Sequence, residues 1–139
     1  MINESLQLLF SLTKTQSVLQ RKFDRLSVHG LSYTDFMLLH LLASNSENKM
    51  RRIDLASRIG LTPSGVTRLL SPLEKNGLVG RERNARDARV SYVILTETGQ
   101  RIYAEAKITA EAVALELLPK IKANQLQAVM DLFRQIDKE

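Results

Sequence analysis

The sequence predicts a mainly α-helical fold carrying one small β-hairpin, and three observations predict it. Most of the 139 residues keep apolar side chains at the i, i+3, i+4, i+7 spacing of a helix, in segments parted by Gly, Pro or polar turns. One stretch breaks that period. Leu78-Val-Gly-Arg-Glu-Arg83 and Val90-Ser-Tyr-Val-Ile-Leu95 flank the polar run Asn84-Ala-Arg-Asp-Ala-Arg89, which reads as strand, loop and strand. Just before it, two helical segments meet at Gly60-Leu61-Thr62-Pro63 with no residues to spare, which makes a helix-turn-helix.

Residues 4–26 contain neither Pro nor Gly and form the first predicted helix. Leu8, Leu12, Leu19 and Phe23 make one apolar stripe along it, and Leu6, Leu9, Phe10 and Thr13 make another. A surface helix normally has a single stripe. This one therefore either touches both its own domain and another subunit, or lies sunk in the core. Gly30-Leu31 closes the connection, and Ser32-x-x-Asp35 has the spacing of a capping box. The second helix then runs to about Ala43, with Phe36, Leu38, Leu39, Leu41 and Leu42 as core residues. Residues 44–49 read as a polar loop.

The third helix is expected to bury Ile53, Leu55, Ala56 and Ile59. Gly60 can take the positive φ that ends it, Thr62 can cap the fourth helix, and Pro63 suits a first helical position. Along that fourth helix Val66, Leu69, Leu70 and Leu73 form the core stripe, while Ser64, Thr67, Arg68 and Ser71 stand on the opposite side. Short hydroxyls and one forked guanidinium suit phosphate oxygens and base edges in a major groove. An ordinary amphipathic surface helix would show the same two faces. Gly65 either lets the backbone approach DNA or is merely tolerated. Pro72 removes a backbone donor and is expected to bend the helix locally, which then continues to about Asn76 with Gly77 as its stop.

The hairpin separates the two readings of that helix. Its tip carries Arg83, Arg86 and Arg89 with only Asp87 beside them. A minor groove concentrates negative potential and attracts inserted arginines. A helix-turn-helix followed by an Arg-tipped hairpin is a winged DNA-binding unit. The charge agrees: residues 49–101 hold eleven Lys and Arg against five Asp and Glu, while the remainder of the chain holds nine against ten. The net charge of +5 therefore comes entirely from this stretch, the electrostatic footprint of a phosphate-binding surface.

Thr96 is expected to cap the long fifth helix, whose period is kept by Ile102, Tyr103, Ala106, Ala110, Val113 and Leu117 until Pro119 interrupts it. The sixth helix, about residues 124–137, carries Leu126, Val129, Met130, Phe133 and Ile136, a stripe expected to pack. The terminal helices thus hold apolar surface that the central unit does not use.

Several chemistries are excluded or disfavoured. Without cysteine there are no disulfides, thiolate zinc sites or thiol redox sensors. His29 and His40, the only histidines, lie outside any metal or nucleophile arrangement, and no Gly-rich phosphate loop follows a strand. Neither a cofactor, a metal nor an enzymatic activity is expected. No apolar run approaches the ~20 residues that span a bilayer, and the first residues do not read as a secretory signal. A cytoplasmic location is expected, with no membrane partner.

Taken together, Ile59-Gly-Leu-Thr-Pro-Ser-Gly-Val-Thr-Arg-Leu-Leu70, Leu73-Glu-Lys-Asn-Gly-Leu-Val79, Arg86-Asp-Ala-Arg89 and Leu95-Thr-Glu-Thr-Gly99 resemble the MarR family of bacterial and archaeal winged-helix transcription regulators. The motifs span about a third of the chain, and the order of the flanking helices fits over nearly all of it. The resemblance implies a single domain over residues 1–139, with a winged helix-turn-helix at about 31–97 and dimerisation helices at about 1–29 and 98–139. It implies a homodimer, most simply a repressor of a palindromic operator in double-stranded DNA, because a two-fold dimer presents two recognition helices about one DNA turn (~34 Å) apart. Ser64, Thr67 and Arg68 would face the major groove, and Arg83, Arg86 and Arg89 the minor groove or its phosphates. Asp87 would orient a wing arginine, Arg89 or Arg81. A phenolic or lipophilic small-molecule effector would sit between the two parts, with Tyr33, Met37 and His40 as candidate lining. The chain departs from the family at Met50-Arg51-Arg52, where a Ser or Thr helix cap is usual. Those arginines either reach a flanking phosphate or are simply solvated. A ligand-independent architectural DNA binder is the alternative, distinguished by weak base preference.

Overall fold

The computed structural model describes residues 1–87 and 89–138; Ala88, within the quoted wing motif, and Glu139, at the end of the segment assigned to dimerisation, lie outside them. The helices are α1 (Glu4–Lys22), α2 (Tyr33–Ala43), α3 (Arg52–Ile59), α4 (Pro63–Lys75), α5 (Glu97–Leu117) and α6 (Ala123–Asp137), with strands β1 (Lys49–Arg51), β2 (Val79–Arg83) and β3 (Ser91–Leu95).

Local chemistry sets most of the boundaries. Ser32 and Asp35 form a reciprocal capping box, each side chain accepting from the other's amide at 3.0 Å. Gly60 ends α3 in the left-handed region at φ 78°, and the Thr62 hydroxyl accepts from the Gly65 amide at 3.1 Å to open α4. Helix α4 runs through Pro72 without interruption, although the ring leaves the Arg68 carbonyl without its usual donor.

The sheet differs from the expected hairpin. Its order is β1-β3-β2, all antiparallel, so the loop expected over residues 44–49 ends in a strand. Met50 pairs with Val93, and both are buried. Three residues are too few to show an alternating pattern, and the strand exists only because β3 offers it an edge. The first helix is also shorter than its pattern. Phe23 and Leu26 belong to a 3-10 helix (Phe23–His29) that carries them into the core, and His29 Nε2 lies 2.8 Å from Thr109 Oγ1 of α5.

A single core joins the central elements, built on Leu26, Leu38, Leu39, Leu42, Leu55 and Val66, all fully buried. Of the four residues expected from α3, Leu55 and Ala56 are buried and Ile59 packs at the edge, but Ile53 is 58% exposed. It precedes Leu55 by two positions, which turns it about 200° away from the core at 3.6 residues per turn. On α2, Phe36 and Leu41 are only partly buried beside the core.

The terminal helices stand apart from that core. Neither α1 nor α6 buries a residue, and Leu126, Val129, Met130, Phe133 and Ile136 are all exposed. The α6 stripe expected to pack therefore stays open to solvent. Along α1, Leu12 and Leu19 are half-buried, whereas Leu6, Leu8, Leu9 and Phe10 are open to solvent.

Candidate nucleic-acid interface

Helix α4 is positioned by its buried stripe. Val66, Leu70 and Leu73 lock one face into the core, Leu69 is half-buried, and Ser64, Thr67, Arg68 and Ser71 are exposed on the other. The hydroxyls are already partly committed. Thr67 Oγ1 donates to the Pro63 carbonyl at 3.0 Å, and Ser64 Oγ lies 3.2 Å from Thr62 Oγ1. Thr67 therefore offers lone pairs and a methyl group outward, but no proton. Gly65 sits beside the cap, where an added Cβ would stand 3.2 Å from Thr62 Oγ1.

The wing loop is held by side chains rather than by a tight turn. Asn84 Oδ1 accepts from the amides of Arg86 at 2.8 Å and Asp87 at 3.2 Å, and the Asn84 amide donates to the Val90 carbonyl at 2.9 Å. Asp87 in turn accepts from the Arg89 amide at 3.0 Å, from its Nε at 3.1 Å and from its Nη2 at 3.3 Å. The Arg89 guanidinium and amide hold the Asp87 carboxyl below the ordinary aspartate range. Between the two arginines left open by the sequence, Asp87 thus grips Arg89. Arg81 instead donates to Glu74 Oε2 at 3.3 Å, which ties β2 to the end of α4. Arg83 and Arg86 are exposed.

A second brace lies behind the sheet. Lys49 Nζ sits 2.9 Å from carboxylate oxygens of both Glu82 and Glu47, and 4.9 Å from the centre of the Tyr92 ring. Bonding to Glu82 and then Glu47 drives the Lys49 ammonium above its usual range, and the same contact lowers the Glu47 carboxyl. Neither Lys49 nor Asn84 stood out in the sequence, where each is one polar residue among many.

Next to this unit, α2, α3 and α5 enclose a cleft of about 370 Å³. Tyr33, Met37 and His40 line it, with Phe36 and Tyr103. The rings form a wall: Phe23 stacks on Tyr33 at 4.2 Å and Phe36 on Tyr103 at 5.3 Å. Burial and the nearby Glu111 raise the Tyr103 phenol above its ordinary value, and its hydroxyl is hydrogen-bonded with His40 Nδ1 at 2.6 Å. The charges at the cleft come from different elements, Arg58 from α3 and Lys107 and Glu111 from α5, the last two 3.8 Å apart. Sequence reasoning gave Tyr103 only a packing role on the fifth helix and passed over Arg58 and Lys107, because only packing brings the three helices together.

Among the described residues, no helix is long and apolar enough to cross a membrane, and no group of three His, Cys, Asp or Glu side chains could hold a metal.

Residues 23–106 match the model of the transcriptional regulator SarA/Rot family. The HTH-type transcriptional regulator SarZ of Staphylococcus haemolyticus is 36% identical over 108 residues, 77% of this chain and 72% of that protein. A MarR family transcriptional regulator from Streptomyces coelicolor, solved in complex with DNA, superposes with a TM-score of 0.85 at 23% identity, covering 98% of this chain and 88% of its own. CouR from Rhodococcus jostii RHA1, solved bound to p-coumaroyl-CoA, gives a TM-score of 0.85 at 24% identity, covering 99% and 96%. The match over residues 23–106 and the identity to SarZ place this winged helix-turn-helix chain in the SarA/Rot family of DNA-binding transcription regulators, and the superpositions give it the fold of the MarR family.

Proposed function

We propose that the protein acts as a homodimeric repressor of a pseudo-palindromic operator, released by a small lipophilic anion. In this reading residues 31–97 grip DNA and residues 1–29 and 98–139 build the dimer within one functional unit. The observation that carries it is the exposed face of α4 beside an arginine-bearing wing, on the stretch that holds all the excess positive charge.

Each side chain then has a chemical role. Arg68 presents its fork to guanine O6 and N7, the commonest specific contact in a major groove. Thr67, its proton given to Pro63, accepts from an adenine or cytosine amino group or packs its methyl on thymine. Ser64, in the first turn of α4, meets a phosphate where the helix dipole favours an anion. Arg83 and Arg86 follow the minor groove, Arg89, which Asp87 orients, meets a phosphate at its edge, and Arg51 reaches a flanking phosphate.

The dimer is supported by surface area. A compact monomer of 15.7 kDa exposes about 7,300 Å² by the usual mass scaling, whereas this chain exposes 10272 Å². Counted over two chains, the excess reaches the upper end of what obligate homodimers bury, and α1 and α6 carry the apolar stripes to fill it. The effector is supported by the cleft, an aromatic wall with cations from α3 and α5. CouR, of the same fold, was solved with an aromatic acyl-CoA. An anion bridging Arg58 and Lys107 would shift α3 against α5, and with it the spacing of the two recognition helices, by its differential affinity for the two arrangements.

The test is selection of bound sites from a random duplex library by the purified protein. A palindrome with half-sites one turn apart is expected. Binding with no enriched motif would sink the operator reading in favour of an architectural DNA binder.

A further inference from the structure

At the mouth of the helix-turn-helix, three separate stretches meet around a groove of about 270 Å³: the start of α3, the start of α4 and the base of the wing. Arg51, Arg52 and Arg89 supply the charge of its walls, while Ile53, Pro63 and Val90 supply apolar lining. This accounts for the exposure of Ile53, which the core does not claim.

Asp87 accounts for Arg89, but nothing in the free chain explains why Arg51 and Arg52 gather beside it. Among the described residues, neither Arg51 nor Arg52 has a carboxylate within ion-pair distance. Asp54, also on α3, lines the recess on the other side of Arg51, and Asp87 engages the Nε and Nη2 of Arg89, leaving its remaining donors free. Arg51 is also the N-cap of α3 and offers the first-turn amides no side-chain acceptor. Cations at a helix start oppose the dipole, and like charges around one groove repel each other. An anion in the groove would relieve both penalties at once, since guanidinium forks and open amides all donate to it.

We propose that this groove is a phosphodiester site, in which Arg51, Arg52 and Arg89 clamp one backbone phosphate of each operator half-site and so fasten the wing to the helix-turn-helix. The assignment rests on the DNA-binding reading above and adds Arg52 and the pairing of α3 with the wing to it. A DNA phosphate is favoured over a free anion because Pro63 in the groove wall is the first residue of α4. A phosphate held there flanks the point where that helix enters the major groove.

The experiment pairs protein variants with DNA in which single phosphates are replaced by uncharged methylphosphonates. Wild type should lose most affinity at one flanking position per half-site. The R51Q/R52Q variant should bind more weakly throughout and lose much less than wild type at that position, keeping only the share due to Arg89. Its slope of log K against log salt should be shallower by about 1 per half-site, and R52K should keep the wild-type slope. The variants lie on exposed positions, and circular dichroism checks their fold. Equal methylphosphonate penalties in wild type and R51Q/R52Q, or an unchanged slope in a folded R51Q/R52Q, would overturn the site while leaving the DNA-binding reading intact. Competition by inorganic phosphate at constant ionic strength, for wild type only, would overturn it in favour of a free-anion site. The slopes can also be compared on random duplex. A wild type with no salt-dependent affinity for any duplex would sink the broader reading and this site together.

Discussion

Thr67 and Arg68 are neighbours with opposite capabilities, one an acceptor with its proton spent on Pro63 and the other a donor with no lone pair to offer. A recognition helix presenting that pair discriminates bases by complementarity. If Arg68 forks onto a guanine, Arg68→Ala should cost about 1–3 kcal/mol on the operator and relax preference at one base pair per half-site. Equal losses on operator and random duplex, measured by fluorescence anisotropy, would remove Arg68 from base readout. At this scale the sequence is readable wherever a residue acts on its near neighbours. Thr62 caps three residues ahead, and Asp87 grips Arg89 two residues on. It is unreadable where the partner is distant. The choice of Glu74 for Arg81, or of Glu82 for Lys49, depends on how β2 lies against α4 and how β3 holds β1 and β2 on its two sides.

The junction of wing and α5 shows how elements constrain single positions. Thr96 donates to the carbonyls of Gly77 and Leu78 at 2.6 and 3.0 Å, and accepts from the Gly99 amide at 3.0 Å. This one hydroxyl joins the stop of α4, the entry of β2 and the start of α5. Gly99 is buried in the first turn of α5, and a Cβ there would fall 2.1 Å from the Leu78 carbonyl oxygen and 2.6 Å from Leu95 Cδ1. The glycine is therefore required by close approach rather than by an unusual φ. Gly99→Ala should lower stability by about 1–3 kcal/mol, the usual range for overpacking. Thermal unfolding checks it, and an unchanged midpoint would mean that α5 can move away from Leu78 and Leu95 at no cost. In the sequence Gly99 is only a helix-interior glycine within a recognisable motif. Strand β1 was likewise hidden, since Lys49–Arg51 is a strand by pairing and not by pattern.

On the scale of the whole molecule, the central unit is finished and the ends are not. The core closes around α2 to α5 and the 3-10 helix, while α6 exposes Leu126, Val129, Leu132 and Ile136 along its length. A helix of 15 residues has little stability of its own in water and takes it from packing an apolar face. Removing residues 124–139 should therefore leave monomers or aggregates in sedimentation, and a stable dimer would move the interface elsewhere.

By itself the sequence determined six helices, the caps at Ser32, Thr62 and Thr96, the stops at Gly60 and Gly77, the hairpin, the two faces of α4 and the concentration of charge on one unit. Each of these follows from interactions within a few residues or from a simple count. Tertiary structure alone decided that β3 recruits β1, that Ile53 turns outward into an arginine-lined groove, that Arg81 answers to Glu74, and that Arg58 of α3 and Lys107 of α5 meet in one cleft. These depend on segments far apart in the chain, whose meeting is set by how the core closes and is written in no local pattern.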